Sequence, residues 1–350
     1  MKFTVFTPKT KPLLGVDIGT TFIKAVLLVP AAHNWECHGV ACELILGDAF
    51  TERDIHNFEP VANALKHIMR TLHIKQHKAV IAIAGNAVLS KIIQMPNDLD
   101  ELQLEEQIEI EADSLIPYPL NEVYWDFTRI GESQHVPHQA DILLTAAHKS
   151  LIDSRITLAR EAGMHPDIVE TEACALQRVI LTHTSTVQSM LTLVHIGSEL
   201  MHIVVAESHQ VVYCKEHTVG LASLFQGIAS ELHIDPKAIL QQLSAGNTPS
   251  GWHHQLLPAV IAQLQLHIGR AIQLCTLSHH LATPTHISLS GGVASLPDLI
   301  DPLSRAMNIN FSLFNPLQRI AIKTTVNAEL ISQLLPQLCI ATGLALRSEI

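Results

Sequence analysis

Residues 17–21 read Asp-Ile-Gly-Thr-Thr and interrupt an otherwise apolar run from Leu13 to Val29. A buried strand has no use for an acid, a glycine and two hydroxyls in a row, but a turn that binds an anion does. Gly19 lets the backbone approach a ligand closely and adopt positive φ. The N–H groups of Thr20 and Thr21 can form an anion-binding nest, and their hydroxyls add donors. Lys24 either supplies charge or simply faces solvent. A second stretch, Val194-His195-Ile196-Gly197-Ser198-Glu199-Leu200-Met201-His202-Ile203-Val204, lays over Val16–Val26 with the same order of features. Each copy has an apolar strand, a polar residue, Ile-Gly, a hydroxyl and another apolar strand. Such self-similarity reads as a duplication in which each half contributes one β-hairpin turn. Two hairpins facing each other across a cleft would grip a polyphosphate from both sides. A third glycine site, "LSGGVASLP", places Gly291 and Gly292 between a strand and a helix start. Bare backbone there would let a flat base or ribose lie near a helix N-terminus.

The elements that must hold these turns can be followed along the chain. "EPVANALKHIMRTLHI" puts Val61, Leu65, Ile68 and Leu72 on one helical face. "KAVIAIAG" is a strand, and "AVLSKIIQMP" is expected to pair with it as a hairpin. An acidic helix follows, capped by Asp98 or Asp100, with Leu104, Ile108 and Leu115 on one face and Pro117 beyond its end. Its acids (Glu101, Glu105, Glu106, Glu109, Glu111 and Asp113) suit a solvated face or, more sharply, an acidic docking surface. "EVYWDFTRI" and "ADILLTAAH" read as strands, and "KSLIDSRITLAREAGMHP" as a helix stopped at Gly163. "DIVETEACALQRVI" is a strand entering a helix. The polar bridge Leu181–Gln188 has no core pattern and marks the main domain boundary. Three strands follow from Met190, then helical stretches through Ala222–Leu243 and Leu257–Leu277. The tail from Ala328 to Leu346 closes with a helix or two.

Bulk properties narrow the class. With 350 residues, 47% hydrophobic and 16% charged, the chain builds a sizeable core in two or three domain-sized units. A net charge of −11 argues against nucleic acid or an anionic membrane as the main partner. The N-terminal "MKFTVFTPKTKPLL" lacks the apolar stretch of a signal peptide. No run approaches the roughly 18 apolar residues of a membrane span. The six cysteines include no CxxC pair and read as free thiols in a reducing compartment. Among the 22 histidines, the pairs His135/His138, His253/His254 and His279/His280 have no carboxylate or thiol at ligand spacing, so they read as solvated loop residues.

The three glycine sites resemble the phosphate-1, phosphate-2 and adenosine motifs of the actin, Hsp70 and sugar-kinase superfamily. Within it the chain resembles the PilM family of type IV pilus assembly, which is itself similar to the FtsA family. The most family-specific stretch is "LEEQIEIEADSLIPYPLNEVYWDF" (Leu104–Phe127), supported by "AVIAIAGNAVLSKIIQMP" before it. "DIVETEACALQRV" (Asp167–Val179) resembles the connection between halves, and "LHIGRAIQLC" (Leu266–Cys275) the helix on the adenine side. This resemblance implies an α/β, actin-like (ribonuclease H-like) duplicated two-lobe fold with a small inserted α+β subdomain. The expected division is 1–78 plus 163–186 for the first lobe and 79–162 for the insertion. It continues with 187–225 plus 284–350 for the second lobe and 226–283 for a helical subdomain.

Site roles implied by the resemblance fall on matched positions. Asp17 would hold a magnesium-bound water. Gly19, Thr20, Thr21 and Lys24 would serve phosphates from the first half, and Gly197 and Ser198 from the second. Gly291 and Gly292 would seat the adenosine, with Arg270 at the basic position of the adenine-side helix. Glu172 lies near the position from which relatives orient the attacking water. Two positions depart from the pattern: His195 stands where the second hairpin usually has an acid, and His267 where the adenine-side helix usually has one. A neutral imidazole cannot replace a carboxylate on a magnesium hydration shell, because Mg²⁺ prefers hard oxygen ligands. ATP or ADP with Mg²⁺ is therefore the expected ligand, with weakened binding and slow or absent hydrolysis.

As the resemblance implies, the protein would be a cytoplasmic scaffold peripheral to the inner membrane. It would bind the N-terminal cytoplasmic tail of PilN between the first large subdomain and the inserted one. Other pilus platform or motor proteins, and further copies of the chain, are possible additional partners. An FtsA-like division filament and a small-molecule kinase of the same superfamily stay open. The former usually carries a C-terminal amphipathic membrane helix, and "LLPQLCIATGLALRSEI" lacks a basic face. The latter needs a catalytic base beside a second substrate pocket, which no motif supplies.

Overall fold

The computed structural model describes residues 12–31, 34–51, 54–85, 88–133, 136–184, 190–279 and 281–347. The expectation of no signal peptide rests on residues mostly outside this set, as do His135, His280 and the C-terminal part of the polar bridge at 181–188.

Each half of the chain builds one sheet. In the first, β1 (Leu13–Ile18), β2 (Phe22–Pro30) and β3 (Trp35–Leu44) form an antiparallel meander. The two-residue strands β4 (Phe50–Thr51) and β5 (Asp54–Ile55) pair beside it. Helix α1 (Phe58–Thr71) begins at Asn57, whose side chain accepts from the Glu59 N–H. It buries Val61, Leu65 and Ile68 against the sheet, and Leu72 packs there partly buried. Each fully buried aliphatic side chain contributes on the order of 2 kcal/mol relative to exposure. Strand β6 (His77–Ile83) then returns parallel to β1.

The inserted unit is a second, smaller layer pair. Strand β7 (Val88–Pro96), helix α2 (Glu101–Leu115), strand β8 (Val123–Glu132) and strand β9 (Gln139–His148) give a three-stranded sheet in the order β7-β9-β8. Asp100 and Gln103 cap α2 reciprocally. Leu104 and Ile108 pack against the sheet and Ala112 is buried, while Glu101, Glu105, Glu106 and Glu109 are exposed. The hairpin expected between "KAVIAIAG" and "AVLSKIIQMP" does not form. β6 pairs only within the first sheet, and β7 pairs with β9 along its whole length. Both strands are apolar, and adjacency in sequence did not decide which partner each would find.

Helix α3 (Lys149–Glu161) leads back to β10 (Met164–Thr171), which lies parallel to β6. Leu158, Ala159 and Ala162 belong to the same apolar cluster as α1. A start of the insertion at residue 79 would thus cut β6, and an end at 162 would remove α3 from the core it completes. The small sheet itself spans Val88 to His148.

Helix α4 (Glu172–Leu181) follows, capped by Thr171. The second half repeats the plan with β11 (Leu191–Ile196), β12 (Met201–Glu207) and β13 (Gln210–His217) as an antiparallel meander. Helices α5 (Leu221–Leu232), α6 (Pro236–Ser244) and α7 (Leu257–His279) pack on it in one apolar cluster. Strand β14 (His286–Ser290) runs parallel to β11, and β15 (Asn310–Leu313), after α8 (Ile300–Met307), runs parallel to β14. The strand orders β3-β2-β1-β6-β10 and β13-β12-β11-β14-β15 match, rank for rank and direction for direction. Strand β16 (Ala321–Ile322) adds to the outer edge of the first sheet beside β3.

The halves are tied by exchanged helices. α4 leaves the first sheet and packs on β12 and β13 of the second. The chain crosses back at β16, continues through α9 (Ala328–Leu334), and α10 (Cys339–Ala345) packs on β1, β2 and β6 of the first sheet. Where they cross, bare backbone meets bare backbone. A Cβ on Gly343 of α10 would lie 2.0 Å from the Ala175 carbonyl oxygen of α4. One on Gly15 of β1 would lie 2.0 Å from the Ala341 oxygen. Among the described residues, no single helix is long and apolar enough to cross a membrane.

Candidate functional site

The two hairpin turns share one register. In the first, Asp17 stands opposite Lys24 and Ile18 opposite Ile23; in the second, His195 stands opposite His202 and Ile196 opposite Met201. Gly19 N–H donates to the Phe22 carbonyl at 3.2 Å and Gly197 N–H to the Leu200 carbonyl at 2.8 Å. A Cβ at Gly19 would sit 2.9 Å from the Phe22 oxygen, so only glycine fits that turn. The turns face each other across a cleft, and the Thr21 hydroxyl donates to Ser198 Oγ at 3.1 Å. Below this bridge lies a cavity of about 260 Å³. The buried Thr20 hydroxyl has no hydrogen-bond partner in the protein. A buried hydroxyl without a partner is costly unless something else satisfies it.

Charge at the two turns is arranged differently. Lys24 Nζ lies 3.1 Å from Asp17 Oδ2, and both side chains are largely buried. Burial opposes the lysine charge, but Asp17, with smaller help from Cys42 and Glu172, outweighs it and leaves the Lys24 pKa raised. In the second turn His195 is buried and shares a 2.9 Å hydrogen bond with Ser290 Oγ. Burial, then His202 and Lys24, hold its pKa well below the usual histidine value, so the ring is neutral. His202 is fully buried and donates from Nε2 to Glu216 Oε2 at 3.1 Å, with Glu172 Oε2 at 3.9 Å. Glu216 also accepts from the Gly85 N–H of the first lobe at 3.1 Å.

The neutral state of His195 has a thermodynamic consequence. Its folded pKa is depressed below the ordinary 6.5, so below that pH the unfolded chain binds a proton that the folded chain refuses. Stability is therefore fully present above the unfolded value and is lost as pH falls beneath it. Burial depresses His77, His217 and His267 in the same direction. Urea midpoints are expected to drop between about pH 7.5 and about pH 5.5, where histidine titrates. His195→Asn should show a shallower drop over the same interval. An unchanged slope in that variant would remove His195 from the explanation.

Asp17, Gly19, Thr20, Thr21, Lys24, Glu172, His195, Gly197, Ser198 and Gly292 all line the cavity. Gly291 does not. It backs the second turn instead, at φ +87, where a Cβ would lie 2.2 Å from the Ile196 oxygen. Arg270 is exposed on α7 and, like His267, is not among the lining residues. Leu240, Leu243 and Ser244 of α6, together with Leu296 and Gln337, also line the cavity. Sequence reasoning missed these, and it missed Arg155 and Glu199, which also line the cavity. It missed Gly220 too: Leu221 and Ala222 N–H groups hold the Gly197 and Ser198 carbonyls, and a Cβ on Gly220 would meet the Ser198 oxygen at 2.2 Å. The described members of the histidine pairs (His138, His253, His254 and His279) are exposed.

The donor set fits a phosphate chain: a glycine turn closed to any side chain, hydroxyls from both lobes, and a buried Thr20 oxygen awaiting a partner. It does not fit a resident magnesium ion. Asp17 is already engaged by Lys24, and His195 offers no oxygen. No group of three His, Cys, Asp or Glu side chains among the described residues could hold a metal.

Two sheets of identical plan, exchanged helices and a hairpin turn from each lobe over one cleft define an actin-like fold. The family described as type IV pilus assembly protein PilM matches residues 15–349. The chain belongs to that family. A solved "PilM-PilN type IV pilus biogenesis complex" is similar at 20% identity, covering 97% of this chain and 99% of that one, with a TM-score of 0.79. The ethanolamine utilization protein EutJ from Carboxydothermus hydrogenoformans is similar at 13% identity over 97% and 90% of the two chains, with a TM-score of 0.54.

Proposed function

We propose that this chain is a nucleotide-gated scaffold of type IV pilus assembly. It binds the N-terminal tail of PilN in the groove between its first lobe and the inserted unit. That places it at the cytoplasmic face of the inner membrane through its partner. ATP or ADP occupies the cleft, and its phosphates replace the Thr21–Ser198 bridge and satisfy Thr20. One observation carries the nucleotide part: hairpin turns of equal register, from opposite lobes, meet over a cavity holding a buried hydroxyl with no partner. Family membership, and the PilN named in the similar solved complex, support the partner.

Chemistry in the cleft is limited by its residues. Asp17 is the carboxylate that would hold a magnesium-bound water arriving with the nucleotide. Its partnership with Lys24 weakens that hold. His195, neutral and bonded to Ser290, brings no second carboxylate. Positioned charge and metal are what phosphoryl transfer depends on, so the cleft binds and closes rather than turns over.

Calorimetric titration with Mg·ATP is expected to show saturable binding with turnover near background; rapid hydrolysis would contradict the scaffold assignment. Thr20→Val should weaken ATP about tenfold, the size of a lost hydrogen bond to a charged group. A fluorescent synthetic peptide of the PilN tail should bind in an anisotropy titration. No binding, with or without ATP, would overturn the partner assignment.

A further inference from the structure

The first turn already holds a cation of its own. Lys24 and Asp17 stand opposite each other in the β1–β2 ladder, and Lys24 Nζ lies 3.1 Å from Asp17 Oδ2. Their side chains are 17% and 5% exposed, so neither reaches open water. The ammonium is also set against the turn itself: a Cβ on Gly19 would lie 3.3 Å from Nζ. An ammonium carries several N–H donors. One serves Asp17, which leaves others for an anion entering the turn. A dication whose water reached Asp17 would have to stand beside this ammonium. Like charges that close, in a largely buried site, repel strongly.

The second turn offers a metal nothing in exchange. The position matching Asp17 in its ladder is His195, opposite His202. That ring is buried and its Nδ1 shares a hydrogen bond with Ser290. Nitrogen is a poor substitute for the oxygens that magnesium selects. Two more carboxylates line the cavity, and each has other company. Glu172 lies 3.9 Å from His202 Nε2, and Glu199 accepts from the Ser198 hydroxyl at 3.5 Å. Among the described residues they form no ligand group with Asp17. We infer that nucleotide binds in this cleft without help from magnesium, the Lys24 ammonium being the counter-ion that the phosphates meet; this rests on the nucleotide-cleft assignment above. The fold family implies a metal, and the side chains of this chain have replaced its role with a fixed monocation.

Calorimetric titration of the full chain with ADP, in EDTA and again in excess Mg²⁺, tests this. The affinity in EDTA is expected to equal or exceed that in Mg²⁺. A gain of more than about threefold on adding Mg²⁺ overturns the inference while leaving the cleft a nucleotide site. Binding in neither buffer sinks the cleft assignment itself. Electron paramagnetic resonance with Mn²⁺ gives a second readout. The protein with ADP should retain no more Mn²⁺ than ADP alone, and greater retention overturns the inference. Lys24→Met should reverse the wild-type pattern. With the ammonium gone and Asp17 released, ADP is expected to weaken by about tenfold or more in EDTA, the size of a lost hydrogen bond to a charged group, and to recover part of that loss in Mg²⁺. A Lys24→Met protein that binds ADP as wild type does in both buffers refutes Lys24 as the counter-ion. Should that variant fail to fold, the wild-type titration and the Mn²⁺ measurement decide.

Discussion

Gly343→Val is expected to leave little folded protein at room temperature. The new Cβ would fall 2.0 Å from the Ala175 carbonyl oxygen, 2.6 Å from its carbon and 2.9 Å from its Cα. All three are backbone atoms of α4, so no rotamer change relieves the clash. α10 cannot retreat either, because Gly15 lets it lie as closely on β1 from the other side. Arg178 adds a polar tie at this spot. It donates to the Gly343 carbonyl at 2.7 Å while holding the buried Glu170, which Arg347 also reaches at 2.7 Å. Overpacking an ordinary core site costs about 1–3 kcal/mol, and a clash with immovable backbone on both faces exceeds it. A loss of at least about 4 kcal/mol is expected, in the range reserved for severe mechanisms. Circular dichroism melting checks it. A variant melting within a few degrees of wild type would show that the helix crossing has slack these contacts do not reveal.

The second large effect concerns the paired charges of the first turn. Lys24→Met removes the ammonium and leaves Asp17, 4% exposed, without its ion-pair partner. Breaking a buried pair from one side typically costs about 3–5 kcal/mol, because the remaining charge stays desolvated. Removing both charges in Asp17→Asn/Lys24→Met should recover most of that loss. The sign with pH follows from the raised lysine pKa: the pair's contribution is present below the unfolded value of 10.5 and is lost as pH rises through the higher folded value. At neutral pH the wild-type pair is fully formed. Urea unfolding of the ligand-free single and double variants measures the coupling. A double variant no more stable than Lys24→Met would mean that the lysine stabilises by packing alone.

Much of the site was legible because its turns are short-range features. Gly19 with Thr20 and Thr21, and Gly197 with Ser198, announce themselves within five residues, and their repetition gave the two-lobe plan. Caps were legible for the same reason, as with Asp100 and Gln103 on α2. What failed to show was decided by distant contacts. Val88–Pro96 and His77–Ile83 are both apolar strands, and only tertiary packing sends them to different sheets. Arg270 has the residue type of a ligand contact, but α7 presents it to solvent while α6 forms the wall. Arg155, which lines the cavity, belongs to no motif. Its one local signal was its place on the same face as Leu151 and Leu158. Gly220 lacks any motif of its own, since its purpose is to let α5 start against the Ser198 backbone.

The exchange of α4 and α10 bears on how the chain is made. The face of the first sheet that receives α10 is built from residues near the start of the chain, and its cover is the last helix described. A ribosome therefore releases the first lobe with an apolar surface still open, and that surface closes only once α10 has been made more than 150 positions after α4. Such late, non-local closure slows folding and exposes nascent chains to aggregation. Truncations that remove α10 should thus behave as insoluble proteins rather than as a folded amino-terminal half.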